Sequence, residues 1–337
     1  MQKASTMSID STRRKLVAGA ASIPLISLSK NASSDNLPSK PFSVRAGLGL
    51  DAFYATYLVA EELGYWKNAN INFSYSHFDD GSIAYDAIAS GNADIASATF
   101  NSLLQRTDKG LKLWAVAPIA RSGKLFSIVA KKDIKSPKDL ENKKVAIQNG
   151  GITQMLFQRY AKENNINTQN IGFVHVAAPE SVAALKRGDV DAFLLWEPWP
   201  SRALSLMNDV HKLGTMADYK IYVYNWLVVG ESLINKRPEM ERILAVLNQA
   251  TSFINNNKDK VVDIVSKRFR LSKDDAIFQI SNIDYVMDFS KDIVLQHYKV
   301  ESEFALNAKK IKQIPPVDSV IRPEFLRSVD AKLTAGW

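Results

Sequence analysis

The sequence predicts an α/β fold of two lobes, each a mostly parallel sheet flanked by helices. Apolar residues alternate with polar ones over strand lengths and then recur at helical spacing, so strands and helices follow one another along the chain. This pattern restarts near residue 125. The segments AIASGNADIASATF and AALKRGDVDAFLLW each predict a helix, a glycine, an aspartate and then a strand, which indicates two lobes of similar build.

The first half of the chain predicts a β-α-β-α-β-β order. FSVRAGLGL alternates as a strand does, and AFYATYLVAEELGYW has helical spacing that stops near Gly64. A second strand and a helix closed by Gly91 follow, because glycine is favoured just beyond a helix end. The predicted elements are strands at 42–50, 71–78, 93–100 and 111–120, and helices at 52–66 and 81–91.

The second half repeats this order and then becomes helical. Ser136 and Pro137 predict a helix start, and Gly150 to Thr153 predict another directly after a strand that ends at Gln148. The remaining predicted elements are strands at 125–133, 171–176, 190–196 and 222–230 and a helix at 179–188. After residue 230 the pattern predicts helices to the end, the clearest with Pro238 near its start.

Composition and charge exclude several classes of function. The chain has no cysteine, which rules out disulfides, thiolate metal sites and a cysteine nucleophile. Its four histidines lie far apart, and no glycine-rich phosphate loop is present, so we expect no metal, cofactor or catalytic residue. Half of the net charge of +8 comes from residues 1–41, which hold six basic and two acidic residues, so a nucleic-acid partner is not expected.

The N-terminus predicts an export signal. STRRKLVAGAASIPLISLS joins a basic cluster to an apolar run too short to span a bilayer, as signal peptides do. Arg13 and Arg14 resemble a twin-arginine signal, and the alternative is a general secretory signal whose two arginines form its basic region. We therefore expect a cleaved signal at 1–29, a linker at 30–41 and, without a lipid-bearing cysteine, a protein free in the periplasm.

Four segments resemble one known family. LGLDAFYATYLVAEELGYWKNANINFSY, IASGNADIASATFNSLLQRTDKGLKLWAVAP, SPKDLENKKVAIQNGG and ALKRGDVDAFLLWEPW resemble, in order, segments of the periplasmic substrate-binding proteins of nitrate, sulfonate and taurine ABC transporters. The resemblance covers roughly residues 42–240. It implies the type II periplasmic-binding-protein fold, a monomer that clamps a small molecule between its lobes and delivers it to an ABC permease and ATPase complex.

This fold has two segments that cross between the lobes, which we place near 120–127 and 222–232. Lobe 1 would then comprise residues 42–121 and 229–337, and lobe 2 residues 122–228.

Ligands of open α/β sheets bind beyond the carboxyl ends of the strands, which selects the candidate site. Gly150 and Gly151 expose backbone N–H groups where a helix begins, a favourable place for an anionic head group, or they form an ordinary turn capped by Thr153. Arg121 is either a two-pronged partner for such a group or a solvated surface residue. The candidate ligand-binding residues are Asp51, Phe53, Tyr54, Thr99, Phe100, Asn101, Arg121, Gln148, Gly150, Gly151, Thr153, Trp196, Glu197, Trp199 and Tyr224.

The segment LLWEPWPSRA raises a specific question, because two tryptophans and a glutamate follow a buried strand directly. Pro198 ends the strand, so we expect one of Trp196 and Trp199 to cover the ligand and the other to pack between lobes. Glu197 would pair with an arginine, tie the lobes together or, with Asp51, bind an ammonium group.

These residues favour an organic anion as the ligand, an alkyl- or arylsulfonate or a taurine-like zwitterion. The alternatives are a thiamine-precursor pyrimidine, which stacking and carboxylate hydrogen bonds would recognise, and nitrate or bicarbonate. An enzyme on the same fold, a desulfinase or a pyrimidine synthase, is disfavoured because the chain has no cysteine.

Overall fold

Two mixed β-sheets organise residues 40–337, the part of the chain that this computed structural model describes. The predicted signal peptide at 1–29 and most of the predicted linker lie outside the described residues. The first sheet has the order β2-β1-β3-β10-β4-β11. Its strands are β1 (Phe42–Leu48), β2 (Ile71–His77), β3 (Ile95–Ala98), β4 (Leu113–Ser122), β10 (Val223–Gly230) and β11 (Asp284–Tyr285).

The second sheet belongs to the middle of the chain and has the order β7-β6-β8-β5-β9. Its strands are β5 (Phe126–Lys131), β6 (Lys144–Ile147), β7 (Gly172–His175), β8 (Ala192–Trp196) and β9 (Val210–Thr215). We call the first sheet with its helices the first lobe, and the second sheet with its helices the second lobe.

Strand direction is similar in the two sheets. β1 pairs in parallel with β2 and β3, whereas β10 runs antiparallel to β3 and β4. In the second lobe β6 pairs in parallel with β7 and β8, and β5 runs antiparallel to β8 and β9. Two of the reversed strands, β5 and β10, are those by which the chain enters each lobe from the other, and the third, β11, is a two-residue strand at the edge of the first sheet. The predicted two-lobed α/β fold is confirmed.

Helices cover both sheets, and those after β10 return to the first lobe, where α9 packs on α1 and α12 packs on α4. No helix among residues 40–337 is both long and apolar enough to cross a membrane. The helices are α1 (Ala55–Glu62), α2 (Tyr65–Asn68), α3 (Ile83–Ala89), α4 (Phe100–Thr107), α5 (Ile152–Glu163), α6 (Ala178–Arg187), α7 (Trp199–Leu206), α8 (Glu231–Ile234), α9 (Arg237–Asn256), α10 (Lys258–Phe269), α11 (Lys273–Ser281), α12 (Lys291–Asn307), α13 (Val317–Val320) and α14 (Glu324–Val329).

The helix predicted at 52–66 is divided in the structure. A 3-10 turn, Ala52–Tyr54, precedes α1, and Gly64 with a φ of +71° separates α1 from α2. Asp51 explains the start, because its side chain accepts a hydrogen bond from the Phe53 N–H and so caps the turn. Gly64 adopts the left-handed conformation that glycine tolerates at a helix end.

The two segments that cross between the lobes touch each other. The first is residues 123–125, between β4 and β5, and the second reaches β10 at Val223. Gly123 is required by this contact, because a Cβ there would lie 2.4 Å from the carbonyl oxygen of Ile221. The boundary predicted at 228/229 falls inside β10, which pairs with first-lobe strands along its whole length, so a division by sheets lies near residue 222. The apolar pattern of a buried strand does not reveal which sheet it joins.

Candidate functional site

A cavity of about 250 Å³ lies between the two lobes. It is bounded by the segments that follow β1, β2, β3 and β6 and by the last residue of β8, at the edge of each sheet where the sequence predicts the site. Eight of the predicted ligand-binding residues line it, namely Asp51, Phe53, Tyr54, Thr99, Gln148, Gly151, Trp196 and Tyr224.

Asp51 is the most deeply buried acidic residue of the cavity wall, with 5% of its surface exposed. One carboxylate oxygen accepts the Phe53 N–H at 2.8 Å, and this is its only hydrogen bond to the described residues. Burial raises the pKa of Asp51 to about 7, against the lowering effect of that N–H, and the nearby Glu197 adds a smaller increase. A cationic or N–H-bearing partner would favour the ionised carboxylate.

Asp80 is a second carboxylate at the cavity wall, and the sequence analysis missed it. Its Oδ1 accepts the Ser82 N–H at 2.8 Å, and its Oδ2 accepts the side-chain amide of Gln148 at 2.9 Å. The second bond joins the two lobes. The signal was present, since Asp80 follows β2 at the same carboxyl edge that identified Asp51 after β1.

Positive charge at the cavity is already paired. Arg106 is the only lysine or arginine among the described lining residues, and its guanidinium makes two bonds, of 2.9 and 2.7 Å, to the carboxylate of Asp86. Arg121, predicted as a direct partner, lies outside the lining. Its guanidinium contacts Asp284 at 3.0 Å and donates to the Tyr224 hydroxyl at 2.8 Å, so it holds a cavity residue in place.

Aromatic side chains from both lobes form much of the apolar wall. Phe53 and Phe126 meet edge to face across the cavity with ring centroids 6.2 Å apart. Tyr224 stacks on Trp226, which in turn stacks on Phe100 with centroids 4.1 Å apart. Phe100 is fully buried in this stack, so it supports the wall from behind and does not line the cavity.

The start of α5 faces the cavity with its backbone. Gly151 is the N-cap residue without a side-chain cap, and both Gly151 and Ile152 line the cavity. Thr153, predicted to donate its hydroxyl to a ligand, is fully buried and accepts the Gln148 N–H at 2.8 Å. Gly150, with a φ of +74°, lies outside the lining. Thr153 and Gly150 therefore shape the turn, and the start of the helix at the cavity wall is a favourable place for negative charge.

The start of α4 is occupied by protein side chains. Thr99 lines the cavity and caps the helix by accepting the Ser102 N–H at 3.4 Å. Asn101, predicted as a ligand contact, is fully buried and donates its backbone N–H to Glu301 at 2.7 Å. Burial raises the pKa of Glu301 to about 8, against the lowering effect of the backbone N–H groups that it accepts.

The segment around Pro198 divides between the cavity and the interior. Trp196 ends β8 and lines the cavity, whereas Trp199 is 5% exposed and packs within the second lobe beneath Arg202. Glu197 is fully buried and lies outside the lining. Its carboxylate accepts the Ser201 N–H at 3.1 Å and lies 3.8 Å from the Lys212 ammonium, and burial raises its pKa.

The charged partner of Glu197 is therefore Lys212, a lysine of its own lobe. None of the three predicted roles, pairing with an arginine, tying the lobes together or binding a ligand ammonium, describes this contact. The lobes are still connected here, because the same Lys212 lies 4.8 Å from the ring centroid of Phe278 on α11.

The sequence did not single out the remaining lining residues, some of which follow strand ends and others of which lie within strands or helices. They are Gly81, Ser82, Ala98, Ser102, Gln105, Arg106, Phe126, Asn149, Ile152, His175, Val223 and Asn225. Across residues 40–337, no cluster of three histidine, aspartate or glutamate residues has the geometry to hold a metal ion.

Known proteins share this chain's sequence pattern and fold. A protein of Brucella abortus (strain 2308), named as a binding protein, is 22% identical over 259 residues, which are 75% of this chain and 78% of that protein. The taurine-binding periplasmic protein of Escherichia coli (strain K12) is 24% identical over 186 residues, 53% of this chain and 56% of that protein. The alkanesulfonate-binding protein of Xanthomonas axonopodis pv. citri, bound to MOPS, superposes with a TM-score of 0.72 at 16% identity and covers 85% of this chain and 99% of its own.

The structural likeness establishes a periplasmic-binding-protein fold and agrees with the resemblance found in the sequence. A family described as NMT1/THI5 like matches residues 52–261, which include most of both sheets and every cavity-lining residue except Asp51. The chain therefore belongs to the NMT1/THI5-like family.

Proposed function

We propose that this protein is exported to the periplasm, captures a small organic solute in the inter-lobe cavity and delivers it, as a monomer, to an ABC permease and ATPase complex. The names of the relatives support solute binding, and the signal-like N-terminus supports export. The cavity of about 250 Å³ suits a metabolite-sized molecule, and its wall mixes aromatic rings with a few polar groups, as small-molecule sites do.

The charge of the cavity narrows the class of solute. Two carboxylates, Asp51 and Asp80, line it, and its one arginine is neutralised by Asp86. A simple anion such as nitrate or an alkylsulfonate would meet these carboxylates, and the described lining residues include no unpaired lysine or arginine to offset the repulsion. We therefore favour a solute that presents an ammonium or amino group to Asp51, and the buried carboxylate of Asp51 is the observation on which this choice rests.

A taurine-like aminosulfonate would complement both Asp51 and the start of α5. Its ammonium group would neutralise Asp51, and its sulfonate would accept N–H groups at the uncapped start of α5, beside Gly151 and Ile152. This assignment keeps the sulfonate expected from the sequence and adds the amine that the carboxylates require.

A thiamine-precursor aminopyrimidine is the second candidate, and the aromatic wall favours it. Phe53, Phe126, Trp196 and Tyr224 offer ring faces and edges that a planar heterocycle would contact, and its amino group would donate to Asp51. The two candidates share the amine and differ in the need for an anionic group.

A thermal-shift experiment on ligand-stripped protein separates these solutes. We would compare taurine with 2-hydroxyethanesulfonate, and 4-amino-5-hydroxymethyl-2-methylpyrimidine with its 4-hydroxy analogue. A solute at 100 times its Kd adds about 2.7 kcal/mol to the unfolding free energy. We expect only an amine-bearing member of one pair to raise Tm, and a response to the amine-free members alone would refute this assignment.

Asp51→Asn tests the role of the carboxylate. We expect it to abolish the preference for the amine over its hydroxyl analogue, because the amide carries no charge. Glu197→Gln is the matched control, since Glu197 is also a buried carboxylate but does not line the cavity. It should retain the preference. Nuclear magnetic resonance of the recovered solute would show it unchanged if the protein binds and does not catalyse.

A further inference from the structure

One backbone carbonyl of the second lobe is bound by two side chains of the first. The carbonyl oxygen of Gly150 accepts the side-chain amide of Asn101 at 3.0 Å and that of Gln105 at 2.9 Å. Both donors lie on α4, and Gly150 directly precedes the N-cap residue of α5. Asn101 is fully buried, so its amide is shielded from competing water.

A third side chain of the first lobe covers the same glycine. A Cβ built on Gly150 would lie 1.9 Å from Cε of Lys310 and 2.6 Å from its Cδ, so the lysine stem lies directly on this residue. Lys310 follows α12 in the first lobe. The φ of +74° at Gly150 also disfavours any other residue type, and its N–H is bonded to the side chain of Gln154 within the second lobe.

A second hydrogen bond between the lobes lies next to the Gly150 contacts. Gln148, two residues earlier, donates its side-chain amide to Asp80 of the first lobe at 2.9 Å. The turn of residues 148–151 is therefore bonded to the loop after β2 and to α4 at once. Gly151, in this same turn, lines the cavity, whereas Gly150 does not.

We infer that the Gly150 peptide is the latch that holds the two lobes together, with Asn101, Gln105 and Lys310 as its positioning residues. Because the latched turn also begins α5, contact between the lobes fixes the orientation of the helix start that faces the solute. The inference extends the proposed capture of a solute, yet it concerns contacts between protein groups only, so it can be tested with no solute present.

The absence of cysteine in the sequence makes a distance measurement direct. Cysteines introduced at Lys67 on α2 and Lys186 on α6, two exposed positions in different lobes, would carry spin labels on the full exported protein. Pulsed electron resonance then reports the distribution of distances between the lobes. We expect the unaltered latch to give a major population at the separation of the two positions in this structure.

Gly150→Ala should deplete that population strongly, because the new methyl group displaces Lys310 and strains the turn. Gly91→Ala is the matched control: Gly91 has the same φ of +74°, but a Cβ there has no atom within 4 Å. It should leave the distribution unchanged. Combining Gly150→Ala with Lys310→Ala should restore part of the population, since the displaced side chain is then absent.

Gln105→Ala removes one donor without steric conflict and should lower the ratio of contacting to separated lobes by about two- to tenfold, the usual effect of one hydrogen bond. Two results would overturn the inference. One is a distance distribution in which the labelled protein with Gly150 unaltered shows only separated lobes. The other is Gly150→Ala giving the same distribution as Gly91→Ala. Neither result would bear on whether the cavity binds a solute, which the thermal-shift experiment measures independently.

Discussion

The starts of α4 and α5 both lie at the cavity edge, one in each lobe and each after a strand with a parallel neighbour, yet they are completed differently. At α4 the side chain of Thr99 and the carboxylate of Glu301 accept the first N–H groups. At α5 the N-cap is Gly151, which has no side chain to offer, and the helix start faces the cavity.

This difference indicates that the start of α4 contributes mainly to stability, whereas the start of α5 is available for binding. A helix start whose N–H groups are bonded inside the protein has no capacity left for a ligand, whereas one without a side-chain cap retains it. The start of α4 therefore stabilises the first lobe and supplies the side chains that hold Gly150. Under the proposed function the start of α5 is left for the solute, so substitutions at α4 should lower stability much more than substitutions at α5.

The largest effect on stability is expected from Glu301→Ala. It leaves the Asn101 N–H buried without an acceptor and opens a space between α4 and α12, so the unfolding free energy should fall by about 1–3 kcal/mol. Chemical denaturation near pH 4.5 measures this, because at pH 7 the raised pKa of Glu301 itself opposes folding and its removal would offset the loss. A loss below about 0.5 kcal/mol would mean that the start of α4 is not stabilised by Glu301, and the comparison would fail.

The pH dependence of stability should come partly from the same group. Burial raises the pKa of Glu301 from 4.5 to about 8 and that of Asp51 from 3.8 to about 7, so between the lower and the higher value of each group the folded protein retains a proton that the unfolded chain has lost. The unfolding free energy should then fall as pH rises, by at most about 1.4 kcal/mol per pH unit for each group.

Glu301→Gln should flatten that slope, because glutamine does not titrate. His297 does not contribute above pH 6.5, because burial lowers its pKa from 6.5 to about 4, so the comparison is made between pH 6.5 and 8. Denaturation curves at four pH values would be sufficient. An unchanged slope in the variant would show that Glu301 titrates normally in the folded protein.

The smallest effect on stability is expected at α5. Gln148→Ala removes the bond to Asp80 but leaves the turn bonded through Gly150, so the unfolding free energy should change by less than about 0.5 kcal/mol. The separated-lobe population should nevertheless increase in the spin-label measurement. A destabilisation as large as that of Glu301→Ala would erase the distinction between the two helix starts.

Most of the order of strands and helices was determined by the sequence itself, because side-chain periodicity is a local property of the chain, although α4, α7 and β9 were not predicted. The rule that ligands bind beyond the carboxyl ends of strands then placed Asp51, Tyr54 and Gln148 correctly at the cavity wall. The same rule, applied to the loop after β2, would have added Asp80.

Only the tertiary structure decided which residues next to those strand ends line the cavity and which are buried in the protein. Phe100 and Asn101 directly follow Thr99 on the sequence, yet one packs behind Tyr224 and the other meets Glu301, which lies 200 residues away. Arg121 is directed to a tyrosine hydroxyl rather than to a ligand. Such partners come from distant parts of the chain, and burial gives each buried polar group a strong requirement for a partner that local sequence does not reveal.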